Sequence, residues 1–193
     1  MACFKKIAPF VFIPILLLLT SCMAPDRAVV LEEIKNNPSA GAYIKDVPFF
    51  PQKDYMCGPA SLASVIMYWN RGDTDVEEIA AGIYLERLKG TLPLDMLLYA
   101  REKGFDVEYY SGSMDDLRGK LSGGFPLILF LNLGLKSYPA GHYVVAVGYS
   151  DAANAVLVHS GTEKESPMSY NELERAWSKT GHAALIVRPK ARP

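Results

Sequence analysis

Apolar residues in the first half of the chain recur at helical spacing, and those in the second half form runs that read as strands. Leu62, Val65, Ile66 and Trp69 predict a helix over residues 59–69, with Pro59 in its first turn, where a missing N–H costs nothing. The run Asn70-Arg71-Gly72 stops it. Thr74 and Glu77 have the spacing of a capping box that opens a second helix through Ile79 and Ile83. A third helix is predicted over 94–103, behind Pro93 and ended by Gly104, and a fourth, short one starts at Ser113-x-x-Asp116 and closes at Gly123-Gly124. Residues 105–110 alternate loosely. Residues 127–131 are continuously apolar and predict a central strand. Residues 142–149 and 156–159 flank a polar turn and predict a hairpin. Ser169-x-x-Glu172 caps a helix through Leu173 and Trp177, and Gly181 precedes a last strand over 183–187. Helices first and antiparallel strands later predict an α+β domain.

The N-terminus has a different character. Lys5 and Lys6 precede an apolar run over 10–19 that is short for a membrane-spanning helix. The run ends in Leu19-Thr20-Ser21-Cys22, which resembles the lipobox of bacterial lipoproteins. That resemblance implies cleavage before Cys22 and acylation of Cys22, and so a chain held to a membrane by lipid in a bacterial cell envelope. Met23 follows, where an Asp would have resembled the inner-membrane retention signal, so the periplasmic face of an outer membrane is the favoured site in a Gram-negative cell. The expected organisation is a signal peptide over 1–21, lipidated Cys22 and a tether over 22–45, and one domain over 46–193. Within the tether, residues 29–34 allow a short helix, broken by the run from Asn36 to Gly41.

Twenty basic residues against 21 acidic ones give a net charge of −1, which falls to −3 once Lys5 and Lys6 leave, and this argues against nucleic acid as a partner. There is no Gly-x-x-x-x-Gly-Lys-Ser/Thr loop, so an ATP-driven export partner would be a separate chain. No cofactor is implied. Of the three cysteines, the lipobox resemblance implies that Cys3 leaves with the signal and that Cys22 is lipidated, which would make Cys57 the free thiol of an exported protein. A buried structural cysteine is the bland reading of such a residue. Its surroundings reverse that reading. Cys57 stands at the start of a helix, where unpaired N–H groups and the helix dipole favour a thiolate. Gly58 would let a substrate approach the backbone. His142 follows a turn and begins a strand, well placed to face a helix end and to serve as acid and base. The side-chain amide of Gln52 and the backbone N–H of Cys57 could hold an oxyanion. His182, before the last strand, reads as a surface or packing residue.

The segments Val47-Pro48-Phe49-Phe50-Pro51-Gln52 and Cys57-Gly58-Pro59-Ala60-Ser61-Leu62-Ala63 resemble the peptidase C39-like family, and Gly141-His142-Tyr143-Val144-Val145-Ala146-Val147-Gly148-Tyr149 resembles its histidine strand. The resemblance covers roughly residues 47–187. It implies a papain-like fold, with the catalytic Cys57 at a helix start and His142 on a C-terminal antiparallel sheet. It also implies cysteine-peptidase activity on a peptide or protein substrate. Some members cut leader peptides from bacteriocin precursors during export. The lipobox and the stretch Leu131-Asn132-Leu133-Gly134-Leu135 look closer to a lipoprotein subgroup. Where many members place Asp-Pro, this chain has Ser160-Gly161. Ser160 is then the expected third residue that orients His142, with His159 as its rival on the opposite face of the strand. A serine can bond the imidazole but brings no negative charge. Three other readings stay open: a catalytically silent peptide-binding module, a cell-wall cysteine amidase, and, more remotely, a zinc site formed by Cys57 and two histidines at a spacing that matches no common zinc pattern. The loop over 132–140 is expected to rim the cleft.

Overall fold

The structure is a computed structural model that describes residues 25–52, 56–70, 75–135 and 137–190. Chain order runs α1 (Arg27–Asn36), β1 (Gly41–Tyr43), α2 (Cys57–Asn70), α3 (Val76–Ile83), β2 (Tyr84–Leu85), β3 (Gly90–Thr91) and α4 (Pro93–Glu102). It continues through β4 (Phe105–Ser111), α5 (Met114–Ser122), β5 (Leu127–Asn132), β6 (Gly141–Ser150), β7 (Ala155–Ser160), β8 (Glu163–Ser169), α6 (Tyr170–Trp177), a single 3-10 turn and β9 (Ala183–Pro189). This is the α+β architecture expected. The main sheet is antiparallel in every pairing and runs β4-β9-β5-β6-β7-β8. β1 adds to the far end of β6, pairing Gly41 with Ser150 and Tyr43 with Gly148, while β5 pairs with its first half.

The sheet is covered on both faces. Every residue of β6 from Tyr143 to Ser150 is buried, so both pleats of the strand are out of water. α2 supplies Leu62, Ala63 and Val65, all fully buried, and α6 supplies Leu173 and Trp177. Trp177 donates its indole N–H to the Ala183 carbonyl at 2.9 Å, and Trp69 donates to the Val187 carbonyl at 2.7 Å. Each large ring therefore also fastens β9 to a helix. Among the described residues no helix is long and apolar enough to cross a membrane.

Local signals act as read in several places. Ser113 caps α5 through the Asp116 N–H, and Ser169 and Glu172 form a reciprocal capping box on α6. Pro93 is the first residue of α4. Other readings change. α3 is capped by Asp75, whose carboxylate accepts from the Glu77 N–H, and Thr74 lies outside the described residues. The strands β1, β2, β3 and β8 carry no alternating pattern and were not expected. β8 is polar and contains Pro167, which an edge strand tolerates.

The larger change concerns the stretch expected to be a tether. Residues 27–43 belong to the folded body: Val30 of α1 is fully buried, β1 pairs with β6, and the Arg27 side chain reaches Glu165 on β8. A helix with one buried residue and little amphipathic contrast leaves a weak trace in sequence. Cys22 and the signal segment lie outside the described residues.

Candidate active site

α2 starts at Cys57, with the Ala60 N–H accepted by the Met56 carbonyl at 3.0 Å as its first turn closes. The thiol is half-buried, and it meets the backbone N–H groups of Tyr143, Gly58 and Cys57 itself. Tyr143 is the residue after His142 on β6, so the helix start and the histidine strand meet at the sulfur. Burial pushes the thiol above its ordinary value, and the three N–H contacts pull it back only in part. Burial also pushes His142 below its ordinary value. Burial thus disfavours the charged form of both side chains, the thiolate and the imidazolium. This corrects the expectation of an acidified thiol: a helix end favours the thiolate, but here desolvation outweighs it.

His142 and Ser160 are brought together. The Ser160 hydroxyl lies 3.0 Å from Nε2 of His142, across neighbouring strands β6 and β7. His159 points elsewhere. Its ring is buried, with Nε2 3.1 Å from the Val47 carbonyl and Nδ1 accepting the Glu165 N–H at 3.2 Å. Both ring nitrogens are occupied, so His159 holds backbone and is not free to orient His142. His182 bonds Glu174 at 2.9 Å and stacks edge-on with Trp177.

Gln52 bridges the two strands of the site. Its amide oxygen accepts the Gly161 N–H at 3.0 Å, and its own backbone N–H donates to the Gly161 carbonyl at 2.8 Å. Its amide nitrogen donates to the Tyr143 carbonyl over a long 3.4 Å. One amide hydrogen is thus engaged, and the second has no acceptor among the described residues. Gly58 has a different purpose from the one expected. A Cβ placed there would lie 2.7 Å from Cβ of Thr91, so the glycine admits β3 and not a substrate. The Thr91 carbonyl in turn accepts the Tyr143 hydroxyl at 3.2 Å. Gly58→Ala should displace Thr91 and β3 and cost about 1–3 kcal/mol by overpacking; a denaturant midpoint unchanged from wild type would contradict this.

The backbone N–H of Tyr143 and the Thr91 platform carry no motif and could not have been read in advance. Among the described residues no group of three His, Cys, Asp or Glu side chains could hold a metal ion. Exposed apolar side chains cluster on two segments that adjoin site residues in sequence. Leu92, Leu94 and Leu98 lie at and beyond the end of β3, and Leu133, Leu135 and Tyr138 lie on the loop before His142.

A half-buried cysteine at a helix start, facing an antiparallel strand whose histidine bonds a polar residue of the next strand, is the architecture of papain-like cysteine peptidases. The model of the peptidase C39-like family matches residues 44–185, and the chain belongs to that family. Solved structures share the fold. The double glycine motif protease of an AMS/PCAT transporter, solved with its leader peptide, is 23% identical with a TM-score of 0.61, over 77% of this chain and 95% of that one. The peptidase domain of Streptococcus ComA is 22% identical with a TM-score of 0.59, over 75% and 99%. Xylellain, a cysteine protease from Xylella fastidiosa, is 14% identical with a TM-score of 0.55, over 79% and 87%. No curated protein sequence matches.

Proposed function

We propose that this chain is a lipid-anchored cysteine peptidase of the bacterial envelope, acting on peptide substrates through Cys57 and His142. The observation that carries the reading is that the Cys57 thiol at the start of α2 meets the Tyr143 N–H on the strand that carries His142, whose ring bonds Ser160. Ser160 takes Nε2, which leaves Nδ1 for the thiol. When the hydroxyl accepts from Nε2–H, Nδ1 keeps its lone pair and removes the Cys57 proton. The sulfur then attacks the peptide carbonyl carbon. The resulting oxyanion is held by the Cys57 backbone N–H and by the free hydrogen of the Gln52 amide. His142 returns the proton to the leaving amine, and water, with His142 as base, hydrolyses the thioester. Internal proton transfer from thiol to imidazole brings no net charge into the site, so each group's own burial penalty does not forbid it. Acylation of Cys22 would place this chemistry at a membrane surface.

Ser160 is the position that distinguishes this site from one with a carboxylate. Ser160→Ala should lower kcat/KM by about tenfold, the worth of one neutral hydrogen bond. Ser160→Asp should raise the His142 pKa, because a neighbouring negative charge favours the imidazolium, and should raise the rate. Initial rates on a cleaved peptide check both, and equal rates in all three proteins would remove Ser160 from the mechanism. The second reading, a silent peptide-binding module, is favoured by the upward-shifted thiol. Incubation of the protein with a peptide library, with mass-spectrometric detection of new termini, separates the two. Bound but uncut peptides would support the module, and cleavage that Cys57→Ala abolishes supports the peptidase.

A further inference from the structure

β7 and β8 are joined by a tight turn that pairs Ser160 with Glu163, and before it Val158 pairs with Ser166. One residue of β7, His159, therefore faces two of β8, Lys164 and Glu165. This is a bulge beside the residue that bonds the candidate catalytic histidine, and bulges are used to re-aim side chains at such places. Glu165 has a φ of 55°, a left-handed backbone that side-chain-bearing residues disfavour and glycine accepts readily. A glutamate persists there because its side chain is held. The carboxylate is 3% exposed and accepts from the Arg27 guanidinium of α1, with Nε at 2.8 Å, and from the Tyr43 hydroxyl of β1 at 2.6 Å. Lys164 Nζ lies 3.8 Å from it. Burial opposes its charge, but Tyr43 and Arg27 outweigh burial and hold the carboxyl below its usual range.

The bulge passes this restraint on to the site. The Glu165 N–H binds His159, which binds the Val47 carbonyl, and His159 immediately precedes Ser160. Arg27 and Tyr43 both lie before residue 44, where the family match begins. We propose that Arg27 and Glu165 are positioning residues: the N-terminal helix, through this ion pair, fixes the bulge that sets Ser160 against His142. The inference rests on the peptidase reading for its effect on turnover, but not for its effect on His142.

The experiment compares the full chain with Arg27→Ala, Arg27→Lys and Glu165→Gly. Glycine accepts the left-handed backbone, so Glu165→Gly removes the carboxylate's restraint on the bulge without adding strain at that φ. The primary readout is the ring NMR signals of the histidines, with His182, bonded to Glu174 away from the bulge, as the internal control. The His142 signals should shift in Arg27→Ala and Glu165→Gly and return toward wild type in Arg27→Lys. Turnover, where the wild type shows it, should fall between about ten- and a hundredfold through kcat and not KM. A lowered melting temperature with His142 signals unmoved in both variants would overturn the proposal and leave the pair a structural brace. A wild-type chain that cuts no peptide would overturn the peptidase reading instead, and the NMR comparison would still decide this one.

Discussion

Cys57→Ala removes hydrolysis of every peptide the wild-type chain cuts, by about a million-fold where the nucleophile carries the reaction. The fold should survive the change. Cys57 is half-buried at the first position of α2 and makes no disulfide, and loss of one sulfur there should alter stability by no more than about 1 kcal/mol. The backbone N–H of Cys57 also remains, so a peptide should still bind. The expected signature is a folded protein with unchanged melting temperature that retains peptides and releases no new termini. Residual cleavage above about one part in a thousand would mean that the sulfur is not the nucleophile. The change is informative because the same substitution should leave a binding module's affinity untouched.

Much of the site could be read from the chain because its parts sit at punctuated places. A cysteine two residues before Pro59 marks a helix start, and a histidine just after Pro139-Ala140-Gly141 marks a strand mouth. Helix ends and strand mouths are where folds of this class bring distant residues together. The structure sets Cys57 against β6 and His142 against Ser160 accordingly. What could not be read depends on contacts between residues far apart in sequence. Gly58 looks like a substrate-access residue until Thr91 is seen to fill its space. Gln52 looks like a free oxyanion donor until its carbonyl is seen tied to Gly161, with one amide hydrogen on Tyr143. His159 and Ser160 are neighbours that strand alternation sends to opposite faces, and pattern alone could not say which face holds His142.

Burial accounts for the remaining gap. A helix start favours a thiolate through its free N–H groups, and the packing around the sulfur works against it. Packing cannot be read from a lone cysteine. Cys57 packs against the hydrophobic core, with the Tyr143 backbone at the sulfur, and that burial desolvates it. The N-terminal segment reads as a tether for the converse reason. Its break-prone run over 36–41 suggested a loose connection, while the contacts that anchor it, Val30 under the sheet and Arg27 on Glu165, lie with partners more than a hundred residues away.

His142→Ala should cost about ten-thousand-fold in kcat/KM, since the proposed mechanism gives this residue the roles of both base and acid. It should also change the pH dependence in a way that tests whether Cys57 and His142 share a proton. In the wild type, burial moves the imidazole below its ordinary 6.5 and the thiol above its ordinary 9.0. Acid loss of activity occurs when His142 is protonated and cannot accept the thiol proton, so that limb falls below pH 6.5. Alkaline loss occurs when the pair has lost a proton altogether and no acid remains for the leaving amine, so that limb falls above pH 9.0. Hydrolysis should therefore hold a broad plateau between them, wider than two unperturbed groups would give. Without His142 the thiol can ionise only into solvent. Alkylation of Cys57 by iodoacetamide should then be slower than that of free cysteine at pH 7 and rise as a single limb above the ordinary thiol range. A narrow bell centred near neutrality in the wild type, or unchanged alkylation at pH 7 in His142→Ala, would show that Cys57 and His142 do not share a proton.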